Sequence, residues 1–271
     1  LRQSVFAEND LPTTCQTFYD KEIDLKSACH FILQTMSVVK TLGEKYQKKT
    51  DREHILDAPD TYIGSIEESE NETYVKDGER IRQKQIRIIP ALYKLFDEGI
   101  VNCRDHATRM NAVPKTKEHQ PVSYIDVCIA EDGTITMTND GNGIDVAKHP
   151  DHDIWIPEMI FGHLRTSTNY DKDEKKIVGG KNGFGFKLVL IWSSGGSIET
   201  FDHNRKLKYT QTFGANLESI DEPKIVKGTG KPYTKVVFKP DYKRFGIDGL
   251  TPDMLSLLER RIYDIAAVTD K

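Results

Sequence analysis

At 271 residues with 37% hydrophobic content, including 11 Phe and 11 Tyr, the chain can bury a sizeable core as one large domain or two ordinary ones. A net charge of −4 and an isoelectric point near 6.1 argue against a domain that holds nucleic acid by its overall field, while leaving room for a local basic patch. Cys15, Cys29, Cys103 and Cys128 lack C-x-x-C spacing, no apolar run approaches the ~18 residues of a membrane span, and no charged-then-apolar start marks a signal peptide, so neither a zinc site, a disulfide scaffold nor a membrane partner is expected.

The cysteines read as reduced intracellular thiols, and the start at Leu1 reads as that of a fragment. From Leu25, apolar residues at positions 25, 28, 29, 32, 33, 36, 39 and 42 follow helical spacing up to a stop at Gly43. This amphipathic helix covers its own core or a partner chain. Positions 45–53 read as a charged linker, 59–64 as a turn-rich piece, and the acidic run 67–72 with Asp77-Gly78 as a solvated hairpin tip. A strand is expected over 85–89, and Pro90 suits the first turn of a following helix. On that helix Leu92, Leu95, Phe96, Gly99 and Cys103 share one face, leaving Glu98, Asn102 and Asp105 on an adjoining stripe. Strands over 122–129 and 134–137 are joined by Glu131-Asp132-Gly133, and the loop Asn139-Asp-Gly-Asn-Gly-Ile144 follows directly. Further strands are expected over 198–201, 207–213 and 234–239, with a closing amphipathic helix over 250–267 started by Thr251-Pro252.

Chemistry concentrates in four places. Glu98 and Asn102, four apart on one helix, can address one spot, a carboxylate as general base toward water and an amide oxygen as a ligand for Mg²⁺. An exposed polar helix face with i to i+4 hydrogen bonding would look the same; Gly99 between them costs a helix roughly 1 kcal/mol relative to Ala, for which close approach of something to the backbone is one explanation. Asn139 offers the donor and acceptor that an adenine edge requires, with Gly141 and Gly143 letting backbone pass close to a base; an ordinary Asn-Asp-Gly turn is the bland alternative. Thr166, Ser167, Thr168 and Asn169 cluster small hydrogen-bonding groups before a charged loop at 169–176. Finally Gly179-Gly-Lys-Asn-Gly-Phe-Gly-Phe-Lys187 is a G-x-x-G-x-G run whose freed amides suit polyphosphate, with Lys187 adding positive potential. A Rossmann turn fits poorly, because a charged loop and not a strand precedes it. The cluster His149-Pro-Asp-His-Asp153 has no standard zinc spacing and reads as a solvated connection.

In that order these pieces resemble the ATPase fold shared by gyrase-type topoisomerases, mismatch-repair ATPases, heat-shock chaperones and histidine kinases. Tyr46-Gln-Lys-Lys-Thr50, Glu53-His-Ile-Leu56, Pro59-Asp-Thr-Tyr-Ile-Gly-Ser65, Phe96-Asp-Glu98 with Val101-Asn102, Asn169-Tyr-Asp171 and the glycine run ending in Lys187 are similar to the N-terminal ATPase domain of eukaryotic-type type IIA DNA topoisomerases, viral members included. The resemblance runs from about Glu44 onward.

It implies an α+β fold: a two-layer sandwich with a mixed, mostly antiparallel sheet, helices on one face and an ATP lid. It implies an unassigned extension over 1–43, an arm over 44–66 and the ATP-binding domain over 67–271. Glu98 would orient the attacking water and Asn102 would hold Mg²⁺; Asn139 and Thr234 would sit at the adenine between Ile144 and Ile160; Ser167, Thr168 and Asn169 would reach ribose and phosphate. Gly180, Lys181, Asn182, Gly183, Phe184, Gly185, Phe186 and Lys187 would cradle the phosphates, and Tyr46 would reach the nucleotide of the second subunit of a homodimer. Duplex DNA would be a partner of the full-length enzyme, in the nucleus or, for a viral member, at a cytoplasmic replication site. Departures from the family pattern are His106 in place of Asn at a ribose or phosphate contact, Asp57-Ala58 before Pro59, Asp145 in place of Pro, and Phe186 in place of a smaller residue. The rival readings are a nucleotide-gated dimerisation module without hydrolysis and a histidine-kinase-like ATPase domain.

Overall fold

A computed structural model describes residues 48–164 and 185–269, and from residue 49 on they belong to one unit, Lys49–Lys271. The helix expected over 25–42, Tyr46, the cluster at 166–169 and the glycines up to Phe184 lie outside the described residues. Helix α1 (Asp51–Asp57) begins inside the stretch expected to be a charged linker, because Thr50 and Glu53 form a reciprocal capping box that satisfies the first free amides. A single helical turn, α2 (Pro59–Tyr62), follows, and Gly64 ends it at φ +89°. Ile55 and Ile63 from this segment are buried in the main core.

Strands β1 (Ser69–Asp77) and β2 (Arg80–Ile88) pair antiparallel across a turn at Gly78, φ +62°. The acidic run therefore leads into and along the start of β1 and not the tip, where Asp77 is held by Lys84 and Arg82 and Glu79 lies in the turn. This hairpin buries Val75 and Ile86 against Leu257 of the closing helix. Helix α3 (Pro90–Asn111) then runs for 22 residues and buries Leu92, Leu95, Phe96, Gly99 and Cys103 on the expected face. Asp105, two turns beyond Glu98 at nearly the same azimuth, is buried too, so the polar stripe meets protein at its far end.

The main sheet contains β3 (Ile125–Ile129), β4 (Ile135–Asp140), β5 (Ser193–Asp202), β6 (Leu207–Gly214), β7 (Ser219–Ile220), β8 (Lys224–Lys227) and β9 (Tyr233–Pro240). Their order is β3-β4-β9-β5-β6-β7, with β8 also on β6, and every described pairing is antiparallel. Between the strands come α4 (Ile156–Gly162) and α5 (Gly185–Ile191), and α6 (Pro252–Ala267) closes the unit with Thr251 as its cap.

Register arranges the inner face in rows. Ile135 is opposite Phe238, which is opposite Gly196; Met137 is opposite Val236, which is opposite Ile198. Helices α3 and α5 sit on these rows at close range. A Cβ on Gly99 would stand 2.6 Å from Met137 Sδ, and one on Gly196 would stand 2.6 Å from Leu190 Cδ2. Gly99 thus lets α3 descend onto the sheet, which offsets its helix penalty.

Candidate functional site

The next row on the same inner face is Asn139, Thr234 and Thr200, adjacent across β4, β9 and β5. Side chains two residues apart on a strand share a face, so the apolar core surface becomes polar at this row and forms a floor. Thr200 is fully buried, donates to Tyr233 O at 3.0 Å and lies 3.2 Å from Thr234 Oγ1. Its oxygen also accepts from Ile144 N at 2.9 Å, which ties the glycine loop at 141–143 to the sheet. Asn139 is 4% exposed and its amide donates to Asp140 O at 2.8 Å.

The loop itself is pinned from several sides. Gly141 has φ +89°, a conformation open to glycine, and a Cβ there would strike Val122 at 2.5 Å. A Cβ on Gly143 would fall 2.1 Å from the Phe201 carbonyl oxygen. Both glycines are thus required by the protein's own packing, whatever the backbone there also meets. Asn142 accepts from Gln120 N and donates to Glu118 O, and buried Asp202 accepts from Val146 N, Asn204 N and Arg205. Although burial opposes its ionisation, the Arg205 and backbone donors hold the Asp202 carboxyl below its ordinary range. Arg205 also pairs with Asp145, which gives the departure at that position a structural partner.

Helix α3 supplies one wall. Glu98 is half-buried, with Oε1 held by Lys94 Nζ at 2.6 Å; a Cβ built on Gly185 would stand 3.8 Å from Oε2. The last glycine of the sequence motif therefore abuts the carboxylate. Two residues on, Lys187 is 4% exposed in α5, and burial pushes its amine down to about 8. A desolvated cation is a strong attractor for an anion that can reach it. Asn102 is exposed one turn after Glu98, where an amide oxygen suits a hard cation such as Mg²⁺. Among the described residues no group of three His, Cys, Asp or Glu could hold a metal ion.

Ile144 and Ile160 are both partly buried against the main core. Phe186, expected among the phosphate contacts, has its ring in the core, edge-on to Phe161 and Phe238 at 5.3 and 5.6 Å. Its side chain packs, which leaves the backbone amide as its means of meeting a ligand. The structure thus sets Gly185 against Glu98, Asn139 opposite Thr234, and His106 Nε2 3.4 Å from where a Cβ on Gly141 would stand. Tyr46, Ser167, Thr168, Asn169, Gly180, Lys181, Asn182, Gly183 and Phe184 lie outside the described residues. Sequence reasoning missed Lys94, whose four-residue spacing from Glu98 was a visible signal, and Thr200 and Asp202, whose roles come from strand register.

His106 departs from the family pattern in a way that has a measurable consequence. Burial, with help from the Arg109 charge, pushes its imidazole down to about 4, and Nε2 is buried without a hydrogen-bond partner. An unfolded histidine takes up its proton near the ordinary value of 6.5, the folded one only near 4. This group's contribution to stability is therefore complete above about 6.5 and is lost as pH falls toward 4. His106→Asn is expected to flatten the acid side of a plot of thermal midpoint against pH in that window.

No family model matches the chain. It is 48% identical over 238 residues to a DNA topoisomerase 2 of Acanthamoeba polyphaga mimivirus, covering 85% of this chain and 18% of that protein. The DNA topoisomerase 2 of Saccharomyces cerevisiae is 46% identical over 227 residues, 82% of this chain and 15% of that one. Among solved structures, the ATPase region of Saccharomyces cerevisiae topoisomerase II superposes with a TM-score of 0.77 at 45% identity, over 83% of this chain and 58% of that chain. The ATPase and transducer domains of DNA topoisomerase II from Balamuthia mandrillaris give a TM-score of 0.77 at 39% identity, over 84% and 58%. The chain thus spans less than a fifth of the curated relatives and somewhat over half of the ATPase structures.

Proposed function

We propose that this chain, a homologue of the ATPase region of the type II DNA topoisomerases, binds and hydrolyses ATP as the nucleotide-operated gate of such an enzyme. The observation that carries the reading is the meeting of Glu98 with Gly185, at the start of the helix that buries Lys187, in a domain whose inner sheet face also carries the polar row Asn139, Thr234 and Thr200. That arrangement offers an adenine edge to one end and a general base with a cation to the other.

Asn139 and Thr234 meet the adenine, with Ile144 and Ile160 as apolar walls. Glu98 orients a water and accepts its proton as the water oxygen bonds to the γ-phosphorus and the bond to the β,γ-bridging oxygen breaks, leaving ADP and phosphate. Lys187 stabilises charge on the phosphates. Asn102 would hold Mg²⁺, which when bound neutralises phosphate charge. Ser167, Thr168 and Asn169 reach ribose and phosphate, residues 180–186 supply backbone amides, and Tyr46 reaches the partner's nucleotide. His106 faces the glycine loop as a neutral imidazole able to hydrogen-bond the sugar or phosphates.

In this reading ATP binding closes a homodimer around a duplex, and hydrolysis reopens it; cleavage belongs to other parts of the enzyme, which acts in the nucleus or at a viral replication site. The test is size-exclusion chromatography of the full-length enzyme with and without a non-hydrolysable ATP analogue, beside a steady-state hydrolysis assay. Analogue-dependent closure of a dimer together with turnover is expected. Closure without turnover would leave only the nucleotide-gated module, and neither would remove the reading.

A further inference from the structure

We infer that Lys94 is a positioning residue for hydrolysis, holding Glu98 in the rotamer that serves the water; this rests on the ATPase reading above. Lys94 Nζ is 2.6 Å from Glu98 Oε1, a charge-assisted hydrogen bond at short range. The other oxygen is the one nearest Gly185. One oxygen is therefore held by a half-exposed lysine while its twin faces Gly185, the first residue of the helix that carries Lys187.

Helix stability does not account for the pair. Exposed i,i+4 ion pairs contribute about 0.3–0.5 kcal/mol at best, and the favoured order places Glu before Lys. Here Lys precedes Glu, the weaker order. The neighbouring acid is handled separately: Asp97 accepts from Arg261 Nε of α6 at 2.7 Å, an interhelical tie. Of two adjacent carboxylates, one fastens α3 to α6 and the other is oriented by a lysine toward the glycine motif. A glutamate has three side-chain torsions, and a base that samples them spends little time within reach of the attacking water. A fixed ammonium removes that freedom without blocking the oxygen that works.

The experiment compares wild-type full-length enzyme with Lys94→Ala, Lys94→Arg and Glu98→Ala, measuring kcat and KM for ATP, affinity for a non-hydrolysable analogue, and thermal midpoint. Lys94→Ala is expected to lower kcat about tenfold through misplacement of the base, with KM and analogue affinity unchanged. Lys94→Arg should recover most of the rate, since a guanidinium can still hold a carboxylate oxygen. A kcat for Lys94→Ala within about twofold of wild type overturns the inference, as does a loss confined to KM, a loss matched by a fall in thermal midpoint, or one that Arg does not restore. Failure of the underlying reading looks different: wild type would not turn over ATP, or Glu98→Ala would continue to do so.

Discussion

Glu98→Ala is expected to lower ATP turnover in the full-length enzyme by about 10²- to 10⁴-fold, the usual contribution of a positioned general base. Affinity for a non-hydrolysable analogue should stay within about threefold, because in the proposed function the carboxylate acts on water and not on the bound nucleotide. The polar floor, the glycine loop and Lys187 are untouched by the change. Removing Glu98 also releases Lys94 from its 2.6 Å partner at a site open to solvent, so the fold should tolerate it. Single-turnover hydrolysis and analogue binding by calorimetry separate the two effects. Residual turnover near the wild-type rate would assign the base to another residue.

Gly143→Ala is expected to have the largest effect on stability. An added methyl would lie 2.1 Å from the Phe201 carbonyl oxygen and 2.9 Å from Thr200 Oγ1. Neither can withdraw: Phe201 is paired in β5 with Tyr233, and Thr200 Oγ1 holds the Ile144 amide. Relief requires the loop to leave the sheet, breaking that hydrogen bond and the Val146 bond to Asp202. Together these place the loss at about 2–4 kcal/mol, or a fall in thermal midpoint of very roughly 5–15 °C for a domain of this size. Nucleotide affinity should fall in parallel, since Ile144 departs with the loop. A variant as stable as wild type would show that the loop has another seat.

The two predictions also mark which parts of the molecule could be read beforehand. Glu98 and Asn102 were legible because helical spacing is local: four residues suffice to place them on one face of α3. The β3–β4 hairpin was legible at Asp132-Gly133 and α6 at Thr251-Pro252, again from contiguous residues. The packing constraint on Gly143 was not legible, since it comes from β5, almost sixty residues away. Thr200 gave no signal, because its meaning lies in standing opposite Thr234 once β5 and β9 have paired. Strands β7 and β8 are two and four residues long and carry too few positions for alternation to show. Helix α1 was hidden in a charged run whose Thr50 and Glu53 are a capping signature that the charges obscured.

The row of Asn139, Thr234 and Thr200 continues the rows headed by Ile135 and Met137 on the same strands. If β9 slipped by one residue, Thr234 would turn outward, and Val236 and Phe238 would leave the core with it. The floor therefore has no inexpensive misassembled form: any error in its alignment is charged against the whole hydrophobic interior. Folding in effect checks the alignment of this row before a ligand arrives, because the same register that sets these three side chains also fills the core.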